Sequence, residues 1–107
     1  MQIGSFRRTG DRFTGRLQTL GIDVPLRIVP VADRSNDKGP DWRIHIDDEP
    51  DGPIVGSGWT HERDGRSAFV AVQIDCPSLV RPLRASLRSS AGDRERFVLL
   101  WARPKAD

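Results

Sequence analysis

Turn-forming residues recur every eight to twelve positions along this chain, and the segments between them alternate apolar with polar side chains. A two-residue period marks half-buried strands. Its repetition from end to end is the pattern of an all-β meander, sandwich or barrel. No stretch repeats apolar residues at helical spacing for three turns, and ten glycines with eight prolines interrupt the chain too often for long helices. The pattern predicts an all-β fold: a single small barrel or strongly curved antiparallel sheet of seven to eight strands. A chain of 107 residues suits one domain over 1–107, burying roughly two-thirds of its unfolded surface.

The predicted strands run Gln2 to Arg8, Arg12 to Leu20, Val24 to Ala32, Asp41 to Asp47, Ile54 to His61, Ser67 to Asp75, Val80 to Arg88 and Arg94 to Arg103. In the second, Phe13 and Leu17 face inward while Arg12, Thr14, Arg16 and Gln18 face out. The third is apolar on both sides except at Arg27, and its two prolines, Pro25 and Pro30, predict an edge strand or a bulge. In the fourth, Trp42, Ile44 and Ile46 point in. The glycines of Gly56-Ser57-Gly58 predict a bulge or a close backbone approach in the fifth. Asp64-Gly65 is the clearest hairpin turn. The sixth strand points Val70, Val72 and Ile74 inward with Ala68. The seventh directs Leu83, Ala85 and Leu87 inward and Arg84, Ser86 and Arg88 outward. A short helix over 78–90 is the alternative there, because Leu79, Leu83 and Leu87 are spaced by four. The last strand, apolar on both faces from Phe97 to Ala102, reads as the most buried. The polar loop Asp33 to Pro40 is the candidate mobile segment.

Charge is unevenly placed. Residues 1–32 carry a formal +3, residues 33–75 carry −5 and residues 76–107 carry +4. If the two basic ends meet in space, they form a cationic face on a molecule whose net charge is only +2. Fifteen arginines against two lysines can equally reflect genome composition, so a merely solvated surface is the competing reading.

Little else in the sequence carries chemistry. Ser57, Ser78, Cys76, His45 and His61 supply nucleophilic or basic side chains, but none lies in a recognisable catalytic frame, and no catalytic residues are assigned. Cys76 adjoins Asp75, which disfavours a reactive thiolate. Asp47-Asp48-Glu49-Pro50-Asp51-Gly52 resembles the opening of a calcium loop, but Gly58 stands where the closing glutamate belongs, and no metal site is assigned. Gly56-Ser57-Gly58 lacks the lysine and helix of a nucleotide loop. No cofactor is expected. One cysteine excludes an internal disulfide. The longest apolar run, Phe97 to Ala102, is too short to span a bilayer as a helix, and the N-terminus has no signal-peptide core, so a cytoplasmic protein with no membrane partner is expected.

The remaining candidate is nucleic acid, which small β-barrels bind by pairing a cationic groove with aromatic platforms. The candidate contacts are Arg7, Arg8, Arg12, Arg16, Arg84 and Arg88. Trp42, Trp59, Phe97 and Trp101 read as mostly inward-facing, leaving Phe69 as the outward aromatic.

Taken together, several short segments resemble a bacterial family known as domain of unknown function 736. They are Ile3-Gly4-Ser5-Phe6, Phe13-Thr14-Gly15, Ile28-Val29-Pro30-Val31, Pro40-Asp41-Trp42-Arg43-Ile44, the Gly56-to-Trp59 step, Gly65-Arg66, Asp75 with Pro77-Ser78, and Leu100-Trp101-Ala102-Arg103-Pro104. The chain departs from the family pattern at Cys76, where a second acidic residue is usual, and at Phe13 and Trp42, where tyrosine is frequent. It departs again at Thr60, His61 and Glu62, where lysines are common. The resemblance implies no established activity. The family's occurrence on proteobacterial chromosomes, plasmids and mobile elements, which the resemblance brings with it, implies nucleic acid by association only. The expected function is a non-catalytic binding module, a nucleic-acid-associated accessory protein binding single- or double-stranded nucleic acid. The alternative is a protein–protein interaction or self-association module using charge complementarity or an edge strand.

Overall fold

The computed structural model describes residues 1–31, 39–46, 52–63, 66–77, 79–90, 92 and 94–103. Eight strands appear in order: β1 (Gln2–Thr9), β2 (Arg12–Gln18), β3 (Asp23–Pro30), β4 (Trp42–Ile46), β5 (Ile54–Arg63), β6 (Arg66–Ile74), β7 (Leu83–Ser89) and β8 (Arg96–Leu100). Each pairs antiparallel with the next, and β8 pairs back onto β1, so the meander closes into a barrel. The strand alternative for residues 83–89 holds, and no helix occurs among the described residues.

The alternating sequence becomes an inside and an outside. Phe6, Phe13, Leu17, Leu26, Ile28, Ile44, Val70, Val72, Ile74, Leu87 and Leu99 fill the interior. Eight strands leave a lumen just wide enough for such side chains, so the barrel is packed rather than hollow. Phe13 touches Trp42 at a centroid distance of 5.3 Å and Phe97 at 4.8 Å, closing one end of the core with tilted and edge-on aromatic contacts. Trp42 also donates from its indole Nε1 to the Thr60 hydroxyl at 2.9 Å. Glycine makes room where strands crowd. Gly15 lies opposite Phe6, and a Cβ at Gly15 would overlap the Ser5 carbonyl oxygen and reach 2.8 Å from Phe6 Cα. Gly56 likewise backs onto the Gln73 carbonyl, the close approach its sequence implied.

The seam between β1 and β8 runs the full length of β8 and pairs Gln2 to Arg7 of β1 with it. At one end Met1 and Trp101 exchange main-chain bonds, Trp101 N–H to the Met1 carbonyl at 2.8 Å and the Met1 ammonium to the Trp101 carbonyl at 2.9 Å. At the other, Arg8 N–H donates to the Glu95 carbonyl at 2.8 Å. Along the seam Ile3 is an extra residue that shifts the register between Gln2 and Gly4.

Three expectations are corrected. β3 is not an edge strand: it pairs with both β2 and β4. Its prolines fit because neighbouring strands are staggered. Pro25 pairs only with β2 (Arg16), beyond the β4 ladder that starts at Leu26. Pro30 pairs only with β4 (Trp42), beyond the β2 ladder that ends at Ile28. Neither removes a donor the sheet needs. Secondly, β8 is not the most buried strand, since only Leu99 is fully buried. A closed single-layer barrel covers one face of each strand, so Val98 and Leu100 lie outside. Thirdly, Trp59 faces out, opposite Ala71. A bulge is responsible: Ile44 pairs with Gly56 and His45 with Ile54, so Val55 is an extra residue. Val55 is buried, and Gly56 and Gly58 also lie on the inner side, which reverses the alternation that would have carried Trp59 inside. The strands close into a barrel, and beyond the β4 ladder, which ends at Trp42 opposite Gly58, β5 continues to Arg63 paired with β6. The expected loop at 33–40 falls mostly outside the described residues, as do the acidic residues 47–51, the Asp64-Gly65 turn and Ser78.

Packing at the tight glycines is testable. Gly15→Ala should lower stability by about 2–3 kcal/mol in urea unfolding, since its neighbours include backbone atoms. Gly21→Ala, where a Cβ meets nothing within 4 Å, should change stability by no more than about 0.5–1 kcal/mol, on the stabilising side. Equal effects at the two positions would contradict the packing described.

Candidate functional site

Closure makes β7, β8, β1 and β2 one continuous wall. These four strands hold seven arginines (Arg84, Arg88, Arg96, Arg7, Arg8, Arg12 and Arg16) and no carboxylate. Among the described residues, carboxylates reach the wall from its margins. Arg7 lies 3.7 Å from Glu95, Arg12 lies 3.5 Å from Asp11, and Arg16 Nε donates to Asp23 Oδ1 at 2.9 Å. All six participants are well exposed, so each pair is worth about 0–1 kcal/mol and yields readily to a competing anion.

The six arginines singled out by sequence therefore do fall on one wall. Arg7, Arg12, Arg16, Arg84 and Arg88 project from its outer side. Arg8 differs: it pairs across from inward-facing Phe13, places its guanidinium carbon 5.7 Å from that ring's centroid, and reaches the Gly10 carbonyl at 3.4 Å. It covers one end of the barrel. Arg96 was missed, although it lies directly opposite Arg7. Arg27, on β3 beside the wall, was noted only as the polar exception in an apolar strand. It is half-buried, and its Nε is buried with no hydrogen-bond partner. A notch of about 360 Å³ opens between Ser5, Phe6, Arg7, Thr14 and Arg96.

Phe69 takes its expected place on the outer face at one edge of the wall. His61 of β5 stacks on it at 5.2 Å and 17°, and the Arg88 guanidinium carbon sits 4.3 Å from its centroid. His61, Phe69 and Arg88 thus form a stack spanning β5, β6 and β7.

The other candidate side chains do not converge. His45 Nδ1 lies 2.8 Å from the Gly52 carbonyl, and the Ser57 hydroxyl accepts from Arg43 Nη1 at 2.9 Å. Cys76 is a half-buried free thiol beside the core. Among the described residues no group of three or more His, Cys, Asp or Glu could hold a metal ion. Among the described residues no helix is long and apolar enough to cross a membrane.

A second surface was invisible in the strand pattern. The exposed large apolar residues, Met1, Leu20, Ile54 and Val80, all lie at the barrel end that carries the β2–β3, β4–β5 and β6–β7 connections. A pocket of about 470 Å³ opens there between Ile3, Leu79, Leu83 and Trp101, with Arg81 and Arg103 on its rim.

The geometry defines a small closed β-barrel with a basic outer wall. The family profile described as "Protein of unknown function (DUF736)" matches residues 2–104, and the chain belongs to that family. No curated protein and no solved structure matches it.

The stack beside the wall has a measurable cost. Phe69→Ala should destabilise the barrel by about 2 kcal/mol, roughly half the loss at a fully buried phenylalanine. Arg88→Ala should cost under about 1 kcal/mol. Urea midpoints check both, and a larger loss for Arg88 would contradict the stacking described.

Proposed function

We propose that this barrel is a non-catalytic binding module that associates with nucleic acid through the outer wall of β7, β8, β1 and β2. The observation that carries the reading is the seam that joins β1 to β8. It merges the two basic thirds of the chain into one surface with six outward arginines and no carboxylate of its own. Guanidinium groups suit phosphate because their planar fork offers paired donors. The His61–Phe69–Arg88 stack at the wall's edge, with His61 and Arg88 exposed over a half-buried Phe69, supplies the aromatic element that single-strand binders use alongside charge.

Fluorescence anisotropy with a labelled 20-mer, single-stranded in one arm and duplex in the other, tests this. Binding at low salt that weakens steeply as salt rises is expected, because phosphate contacts release counterions. No binding at low salt, or binding indifferent to salt, overturns the reading. Asp23→Asn removes the carboxylate that occupies Arg16 and should tighten binding about two- to threefold, the equivalent of roughly 0.5 kcal/mol.

A second reading, protein interaction, is favoured by the apolar end bearing Met1, Leu20, Ile54 and Val80. Light scattering over a concentration series distinguishes it. Self-association abolished by Leu20→Ser with Val80→Ser supports it, and a strict monomer excludes the self-association form.

A further inference from the structure

The cross-strand register aligns one particular set of outer-face residues. Arg96 of β8 lies opposite Arg7 of β1, Arg7 opposite Thr14 of β2, Thr14 opposite Arg27 of β3, and Arg27 opposite His45 of β4. At about 4.8 Å between strands, the row runs about 19 Å around the girth of the barrel. Along any one strand of the wall the outer arginines number at most two. Around the girth this row brings three together with a hydroxyl between them.

Two features of the row are unfavourable to folding. Arg7 and Arg96 face each other directly, and like charges in opposed positions destabilise a sheet. Arg27 is half-buried with an orphaned Nε, a donor removed from water with nothing to bond. Pro25 and Val29 flank it on the same face of β3, so the position readily accepts apolar side chains. A single kind of guest would relieve the first cost and meet the charge of the second residue. A phosphate in the notch between Arg7, Arg96, Ser5 and Thr14 would neutralise the opposed pair and accept from the Thr14 hydroxyl, and the next phosphate along would reach Arg27. Arg7 makes an exposed contact to Glu95 at 3.7 Å, which a phosphodiester can displace.

We propose that Arg96, Arg7, Thr14 and Arg27 form the phosphate track of the barrel, so that a nucleic-acid backbone crosses β8, β1, β2 and β3 around the girth instead of following any strand. This rests on the nucleic-acid reading and assigns its path. It also separates the arginines that track phosphate from those that only raise the local potential.

The test is the salt dependence of single-stranded 20-mer binding by anisotropy. Each phosphate contact contributes about 0.7 to the slope of log K against log salt for single strands. The triple variant Arg7→Gln, Arg27→Gln, Arg96→Gln removes the hold on two phosphates and should flatten the slope by about 1.4. A charge-matched control, Arg12→Gln, Arg16→Gln, Arg84→Gln, should weaken binding by long-range attraction but flatten the slope by less than about 0.7. Arg27→Lys, which keeps the charge but loses the fork, should retain the slope and bind severalfold more weakly. Thermal unfolding of every variant checks that the barrel remains folded. Equal flattening by the two triple variants overturns the track while leaving nucleic-acid binding in place. Failure of the wild-type protein to bind either oligonucleotide overturns the binding reading and the track with it.

Discussion

Everything in this barrel depends on the antiparallel seam between its first and last strands. The seam joins residues about a hundred positions apart, from Met1 against Trp101 to Arg8 against Glu95. Closing it removes the exposed strand edges that an open sheet would offer to other chains. It also converts eight half-apolar ribbons into one packed lumen. The electrostatic consequence follows from the same pairing: two basic terminal segments separated in sequence by an acidic middle become adjacent on one wall.

That wall is poised. Its arginines are not neutralised within their own strands. The carboxylates that approach them, Asp11, Asp23 and Glu95, come from turns or the neighbouring strand and form exposed pairs that contribute little to stability. Such pairs keep a cationic surface compatible with folding while leaving it open to exchange with an external anion. Membership of the DUF736 family fixes the kinship of the chain but brings no activity with it, so the functional reading stands on this surface.

Most of the fold was legible because alternation is a local property. Phe13, Leu17, Ile44, Val72 and Leu87 sit inside as their spacing required, and Arg16, Arg84 and Arg88 sit outside. The misreadings arose where a non-local or single-residue event intervened. One extra residue at Val55 turned Trp59 outward. The prolines of β3 suggested an edge because stagger between neighbouring strands cannot be seen from one strand alone. The double-sided apolar run of β8 suggested deep burial, yet a barrel has only one interior. For the site, the outward arginines of β1, β2 and β7 were readable one strand at a time. Arg96 and Arg27 were not, because their significance lies in register: each matters through the residue opposite it. The apolar end of the barrel escaped notice for a related reason, since Met1, Leu20, Ile54 and Val80 come together only when alternate connections gather at one end.

The most direct test of the account is an amide chemical-shift titration of the isotopically labelled protein with a single-stranded oligonucleotide at low salt. The account predicts perturbations centred on Arg7, Thr14, Arg27 and Arg96 and spreading over the wall of β7, β8, β1 and β2, with the amides around Leu20 and Val80 unmoved. Perturbations centred on that apolar end, or an unchanged spectrum, would contradict it.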